Sequence, residues 1–256
     1  MSAYAVRAFE YWLVVYRRIW RGSIVSSVLN PVLYLTALGV GLGKVVNSGG
    51  GSASLGIPYL DFVAPGMLAA VAMQVASVES SFPVRGAVKW NRQYYAMLAT
   101  PLRVPDLIAG HLFYVATRVA TSAALYLAAI TAFGAVHSPL ALLGIPLCVL
   151  TGLAFAAPIS ALSVWAEDEI FNPLFRFVVT PMFLFSGAFF PVTRLPHGLR
   201  ELAYATPLWH GVDLMRHLTL GTATLGWSAM HVGYLALWVV AGVGFARWAY
   251  TRRLVV

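Results

Sequence analysis

The chain has 256 residues, 60% of them hydrophobic and only 10% charged, with a formal net charge of +8. A soluble domain carries roughly 25% charged residues, so the composition excludes a water-soluble globular protein and points to an integral membrane protein. The positive charge collects at both termini and in predicted inner loops, as membrane topology requires. No stretch interleaves basic and aromatic residues on a polar background, so nucleic acid is not an expected partner.

Taken in order, residues 1–21 read as an amphipathic helix lying in the membrane interface. Phe9, Leu13, Tyr16 and Trp20 form one stripe, with Trp12 and Ile19 beside it, while Arg7, Arg18 and Arg21 lie on other faces. The first apolar run begins after residue 21 and lacks a small-residue cleavage site, so no cleavable signal peptide is expected. A first span is expected over 24–46, kinked at Asn30-Pro31, with Gly39, Gly41 and Gly43 giving a thin face for helix contact. That glycine run ends in Lys44 but is not a phosphate loop. Leu38 stands where the first glycine should be, and Val45 replaces the Ser or Thr. A Gly/Ser-rich connector follows, flexible and external.

A second span is expected over 59–82, containing Pro65-Gly66 and ending near Glu79. Residues 83–105 are the one sizeable polar interruption in the first two-thirds of the chain. They carry Arg85, Lys89, Arg92 and Arg103 and no acid, which keeps them on the cytoplasmic side. Their interior suits a short helix with Val88, Tyr95 and Leu98 on one side and Lys89 and Arg92 on the other. Such an element reads either as a basic turn on anionic headgroups or as a docking element. A third span covers 107–136, with Asp106 at its inner end and Arg118 well inside it, and His137-Ser138-Pro139 make an outer turn. A fourth span covers 140–165, and Glu167-Asp168-Glu169 form a short acidic inner turn. A fifth covers 171–190 and a sixth 227–250, before Arg252-Arg253. Each run satisfies the ~20 residues that a hydrocarbon core demands. An even count, with arginines at both ends, puts both termini inside. Between the last two spans, residues 191–225 are too apolar for a free loop, and Pro191, Pro196 and Pro207 cut them into pieces shorter than a span. These read as re-entrant or interfacial helices.

No catalytic set is expected. Of the six histidines only His210 and His217 share a face, and no carboxylate completes a metal set with usual spacing. Cys148 is alone, which excludes an intrachain disulfide and a metal site built on cysteine. Arg118 is costly inside a span unless it is paired or faces water. Glu79 is its candidate partner, either in a structural ion pair or as part of a charged lining of a substrate path. Secondary transporters and channels want more intramembrane ionisable residues than this chain offers, and an intramembrane enzyme would want a nucleophile with a partner.

Phe185-Ser186-Gly187-Ala188-Phe189-Phe190-Pro191, then Leu195-Pro196, then Thr206-Pro207-Leu208-Trp209-His210 and Arg216, resemble the signature of ABC type-2 transporter permeases, in particular NodJ-like permeases. Trp90-Asn91-Arg92, Ala96-Met97-Leu98-Ala99-Thr100-Pro101-Leu102 and Asp106 resemble the first cytoplasmic loop of the same branch. The resemblance covers essentially the whole chain. It implies an all-α membrane fold of the type-V exporter kind, a single domain over 1–256. That fold has an interfacial N-terminal helix, six spans, a cytoplasmic coupling helix between spans 2 and 3, and short re-entrant helices before span 6. It implies a permease subunit without a catalytic site, in a bacterial plasma (inner) membrane, exporting a lipid, glycolipid or drug-like compound. Two copies of a cytoplasmic ATPase subunit would bind ATP and Mg, and a second permease subunit, identical or paralogous, would complete the assembly among membrane lipids. Trp90, Asn91, Arg92, Tyr94, Tyr95, Met97 and Leu98 are then the candidate ATPase contacts. Glu167, Asp168 and Glu169 are a weaker second set, and Gly187, Pro191, Pro207, His210 and Arg216 form the external motif. This chain holds no cofactor of its own in that reading.

Overall fold

The computed structural model describes residues 3–48, 56–167, 171, 173 and 175–255, and among these no strand occurs. The first helix, α1 (Ala3–Tyr34), passes Arg21 and Pro31 without a break and widens into a π-helix over Leu35–Leu42 before α2 (Gly43–Ser48). The expected boundary between an interfacial helix and a first span is therefore absent from the helical assignment. The glycine run is helical too, which is not the shape of a phosphate loop. Next come α3 (Tyr59–Glu79), α4 (Phe82–Arg85), a π-helix over Gly86–Trp90, and α5 (Gln93–Leu98). Two long helices follow, α6 (Val104–Ala132) and α7 (Gly144–Trp165). The chain closes with α8 (Thr180–Phe185), α9 (Leu199–Tyr204), α10 (Pro207–Leu220) and α11 (Leu225–Leu254).

Four helical stretches among the described residues are long and apolar enough to cross a membrane: Tyr59–Trp90, Val104–Ala132, Pro139–Trp165 and Leu225–Leu254. The spans expected over 24–46 and 171–190 lie partly outside the described residues, as do the side chains of Ile19, Trp20 and Arg21. Boundaries shift for local reasons. Helix α6 starts at 104 rather than 107 because the Asp106 carboxylate accepts from the Arg103 N–H at 3.1 Å and Pro105 sits in the first turn. It stops before 136 at Gly134, whose φ of +79° breaks the helical path. At the outer turn the Ser138 hydroxyl accepts from the Leu140 N–H at 3.2 Å and starts a 3₁₀ turn over Pro139–Leu143.

Helix α3 is central. In its most apolar window 78% of residues are buried, against 22% in α11, so α3 is enclosed by protein and α11 largely faces outward. Around α3 stand α6, α7 and α10, with α1 against α6 and α11 against α7. Small residues make the close approaches. A Cβ on Gly110 of α6 would lie 2.9 Å from the Ala5 carbonyl oxygen and from the Phe9 nitrogen of α1. One on Gly242 of α11 would lie 2.7 Å from Pro158 of α7. Lipid offers helices no hydrophobic drive toward one another, so such contacts carry the packing. The buried face of α1 is Ala5, Ala8 and Trp12, not the Phe9–Leu13–Tyr16 stripe alone. Trp12 stacks on Tyr114 at 5.6 Å and meets His111 edge-on at 5.1 Å. Much of what looked like a lipid-facing aromatic surface is therefore a helix contact.

Candidate functional site

The inner segment is not the single amphipathic helix that residues 83–105 suggested. It breaks at Arg92, the only non-glycine among the described residues with positive φ, at +48°. Left-handed backbone at a bulky residue persists only when its surroundings hold it. The break separates Val88, which is buried in the π-helix, from Tyr95 in α5, so these two do not share a stripe. Trp90 is 68% exposed and Tyr95 37%, with Asn91 and Arg92 exposed beside them. Met97 and Leu98 are half-buried against the core. Tyr94 is fully buried, between Trp12 at 6.4 Å and Tyr250 at 5.8 Å, so its side chain does not belong to an outward contact set. Burial pushes its phenol well above the ordinary value.

Three elements converge here. The Tyr11 hydroxyl of α1 donates to the Gln93 side-chain carbonyl of α5. The Tyr95 hydroxyl donates to the Arg253 carbonyl of α11 at 3.4 Å. An open cavity of about 660 Å³ lies between the inner segment and the end of α11, lined by Val88, Lys89, Arg92, Tyr95 and Arg253. Glu167 is exposed, and Asp168 and Glu169 lie outside the described residues. Arg85 departs from the expectation of a solvent-facing basic cluster: it is 2% exposed.

The two intramembrane charges meet. Arg118 Nε lies 3.0 Å from Glu79 Oε1, and a second guanidinium nitrogen donates to the Tyr16 hydroxyl at 3.1 Å. The Tyr114 hydroxyl donates to the other Glu79 oxygen at 3.1 Å, and the Arg118 guanidinium lies 4.4 Å from the Tyr16 ring centroid. This network ties α1, α3 and α6 together.

At the other end the external motif folds into one cluster. Gly187 has φ +84°, and a Cβ there would fall 2.7 Å from Val192, so the turn needs glycine. Arg216 of α10 donates to the Gly187 carbonyl at 2.9 Å and to the Phe62 carbonyl at 3.2 Å, its guanidinium 3.8 Å above the Phe62 ring. Pro191 precedes a 3₁₀ turn, and Pro207 opens α10 behind Thr206, whose hydroxyl accepts from the Trp209 N–H at 3.3 Å. His210 stacks on Tyr234 at 3.9 Å and pairs Nδ1 to Nδ1 with His231 at 2.8 Å. Asp213, which sequence spacing did not single out, lies 3.4 Å from His231, 3.6 Å from His217 and 3.1 Å from the Trp227 indole nitrogen. His231 sits on another helix, so no local spacing could have joined it to the others. Among the described residues no group of His, Cys, Asp or Glu is arranged to hold a metal ion.

The family model for ABC-2 type transporters matches residues 10–220. The chain belongs to the ABC-2 type transporter family. Among its relatives is Nodulation protein J of Rhizobium leguminosarum bv. trifolii, 34% identical over 253 residues, covering 95% of this chain and 94% of that one. Nodulation protein J of Rhizobium meliloti is 30% identical, covering 95% and 94%. The Inner membrane transport permease YadH of Escherichia coli is 28% identical, covering 80% and 78%. The protein is thus an integral membrane permease subunit of a transporter rather than a catalytic enzyme, and the family implies an ATPase partner. The match to residues 10–220 takes in the inner segment and the external motif from Gly187 to Arg216, but not His231, Tyr234 or Trp227.

Proposed function

We propose that this permease exports a lipid, glycolipid or hydrophobic drug-like compound across a bacterial inner membrane, using ATP hydrolysed by a separate cytoplasmic subunit. In this reading six spans cross the membrane with both termini inside, and two ATPase copies serve two permease subunits. ATP and Mg sit on the ATPase, to which this chain contributes no ligands. The observation that carries the reading is the exposed edge Trp90-Asn91-Arg92-Tyr95, held at the inner end of the most enclosed helix by contacts from α1 and α11. Exposed aromatic and arginine side chains on a braced turn suit a protein partner. Apolar grooves in the outer half favour an amphiphilic cargo. One of about 390 Å³ is lined by Leu140, Leu147, Leu150, Leu214, Leu218 and Val232 among others. The placement in an inner membrane draws support from the name of the Escherichia coli relative.

The test is co-expression with a stand-alone ATPase subunit encoded beside the permease. The pair should copurify, and Arg92→Ala with Tyr95→Ala should return ATP hydrolysis to the rate of the ATPase alone. A complex that assembles and hydrolyses normally with residues 86–98 scrambled would overturn the assignment.

A further inference from the structure

Arg85 closes α4, yet it is one of the most deeply buried large side chains in the molecule. One guanidinium nitrogen donates to the Ala166 carbonyl at 3.0 Å and to the Ser163 carbonyl at 3.4 Å, both at the inner end of α7. Those carbonyls belong to the last turn of a helix, where the backbone lacks intrahelical donors and carries partial negative charge. A guanidinium suits them because one of its NH2 groups carries a hydrogen for each carbonyl while its plane can stack on an aromatic ring. Its carbon lies 4.4 Å from the centroid of Phe171, just beyond the inner turn, and Phe171 is buried with its N–H bonded to the Glu167 carbonyl at 2.9 Å. A second tie runs beside it. The Ser163 hydroxyl donates to the Ser80 carbonyl at the end of α3 at 2.8 Å.

We infer that Arg85 is a positioning residue that fastens the first inner segment to the inner end of α7 and to Phe171, so that a push on Trp90–Tyr95 moves α7 directly. This rests on the reading of that edge as the ATPase-docking element. Without the lock, the push reaches α3 and α6 through the main chain and α1 and α11 through the Tyr11 and Tyr95 hydroxyls, while α7 is left with the single Ser163–Ser80 tie. With it, α7 carries the displacement to α11, packed at Pro158 and Gly242, and through the His231–His210 pair to the outer helix α10. The first inner segment and the inner end of α7 then act as one rigid body whose hinge lies elsewhere.

The test is hydrogen exchange on the permease–ATPase complex in lipid nanodiscs, comparing the nucleotide-free state with one trapped by ATP and vanadate. In the native complex, exchange should change together in residues 86–98 and in residues 162–171. Arg85→Met and Arg85→Lys should leave the response at 86–98 intact and abolish it at 162–171. In the nucleotide-free state, exchange at the Ala166 and Phe171 amides should rise about tenfold or more, the loss expected on removing a charged hydrogen bond. Should Arg85→Met fail to assemble, Arg85→Gln, a shorter neutral side chain that cannot reach both carbonyls as the guanidinium does, must show the same separation. A response at 162–171 that survives in either variant overturns the lock. A native complex in which 86–98 does not respond to nucleotide overturns the docking reading instead.

Discussion

Removing Arg118 should be among the most destabilising single changes in the chain. Its side chain is 8% exposed and Glu79's is 15%, so neither charge has solvent to fall back on. Arg118→Ala strands the Glu79 carboxylate, with only the Tyr114 hydroxyl left among the partners described above, and it removes the cation above the Tyr16 ring. Breaking a buried pair from one side costs about 3–5 kcal/mol, because the remaining charge stays desolvated. At about 2–4 °C per kcal/mol for a chain of this size, Tm falls on the order of 10 °C. Replacing both charges, with Glu79→Leu and Arg118→Met, should restore about 2 kcal/mol of that loss, since no unpaired charge remains. Thermal unfolding of the detergent-solubilised protein, followed by fluorescence-detected size exclusion, reads each term of the cycle. An Arg118→Ala protein that expresses and melts like the native one while its substrate range changes would refute the structural role. It would assign the pair to the transport path.

Gly110→Ala should cost about 1–3 kcal/mol, because the new Cβ meets α1 backbone atoms that cannot yield without moving the helix. Gly233→Ala, with nothing within 4 Å, serves as the neutral control in the same melting assay. Arg216→Lys should lower Tm by an amount matching about 1.5–3 kcal/mol, since one ammonium cannot hold both the Phe62 and Gly187 carbonyls and keep a planar stack. An unchanged Tm would show that Arg216 does not hold the external cluster. Backbone hydrogen bonds, from its own N–H and then from Gly198, hold the Glu201 carboxyl below the usual carboxylate range. A lowered folded-state pKa stabilises the start of α9 above the unfolded value, and that contribution disappears as pH falls through the folded one. Hydrogen exchange of residues 198–205 in the native protein should therefore approach that of Glu201→Gln only in acid, and a constant gap at every pH would refute the cap.

What could be read from the chain was what lies close along it. Length and hydropathy placed the four long helices from Tyr59 on but not the continuous Ala3–Tyr34, and proline spacing divided residues 191–225 into the short helices that are present. Glu79 and Arg118 could be matched because Arg118 is the lone charge of its apolar run and Glu79 is the acid near the inner end of the run before it. The burial of Tyr94 and Arg85 could not be read, because it depends on partners far away in sequence. Arg85 binds a carbonyl 81 positions on, and a basic residue near an inner loop looks the same whether it faces lipid phosphate or a helix end. Trp12 misled for a related reason: an aromatic stripe suits a headgroup layer and a neighbouring helix equally well. The break at Arg92 had no signal, since arginine does not favour left-handed backbone.

The polar ties follow a pattern that bears on which parts move. Arg118 anchors α3 to α6 and α1 towards its inner end, and Arg216 anchors the Phe62 carbonyl of α3 to α10 at its outer end. Ser163 and Arg85 fasten α7 where α3 ends. Contacts between α11 and α7 are of another kind, with Gly242 against Pro158 and Trp165 near Trp248 at 6.0 Å. In lipid, directional hydrogen bonds fix register, while close contacts between small residues hold helices together by packing alone. Helix α3 is therefore tied by polar contacts at both ends, and the seam of α11, the least enclosed of the four candidate spans, with α7 rests on packing. If the inner edge is driven as proposed above, α11 moves relative to α3, while α10 stays with α3 through Arg216. The His210–His231 contact, which joins α10 and α11, would then be where that movement is taken up.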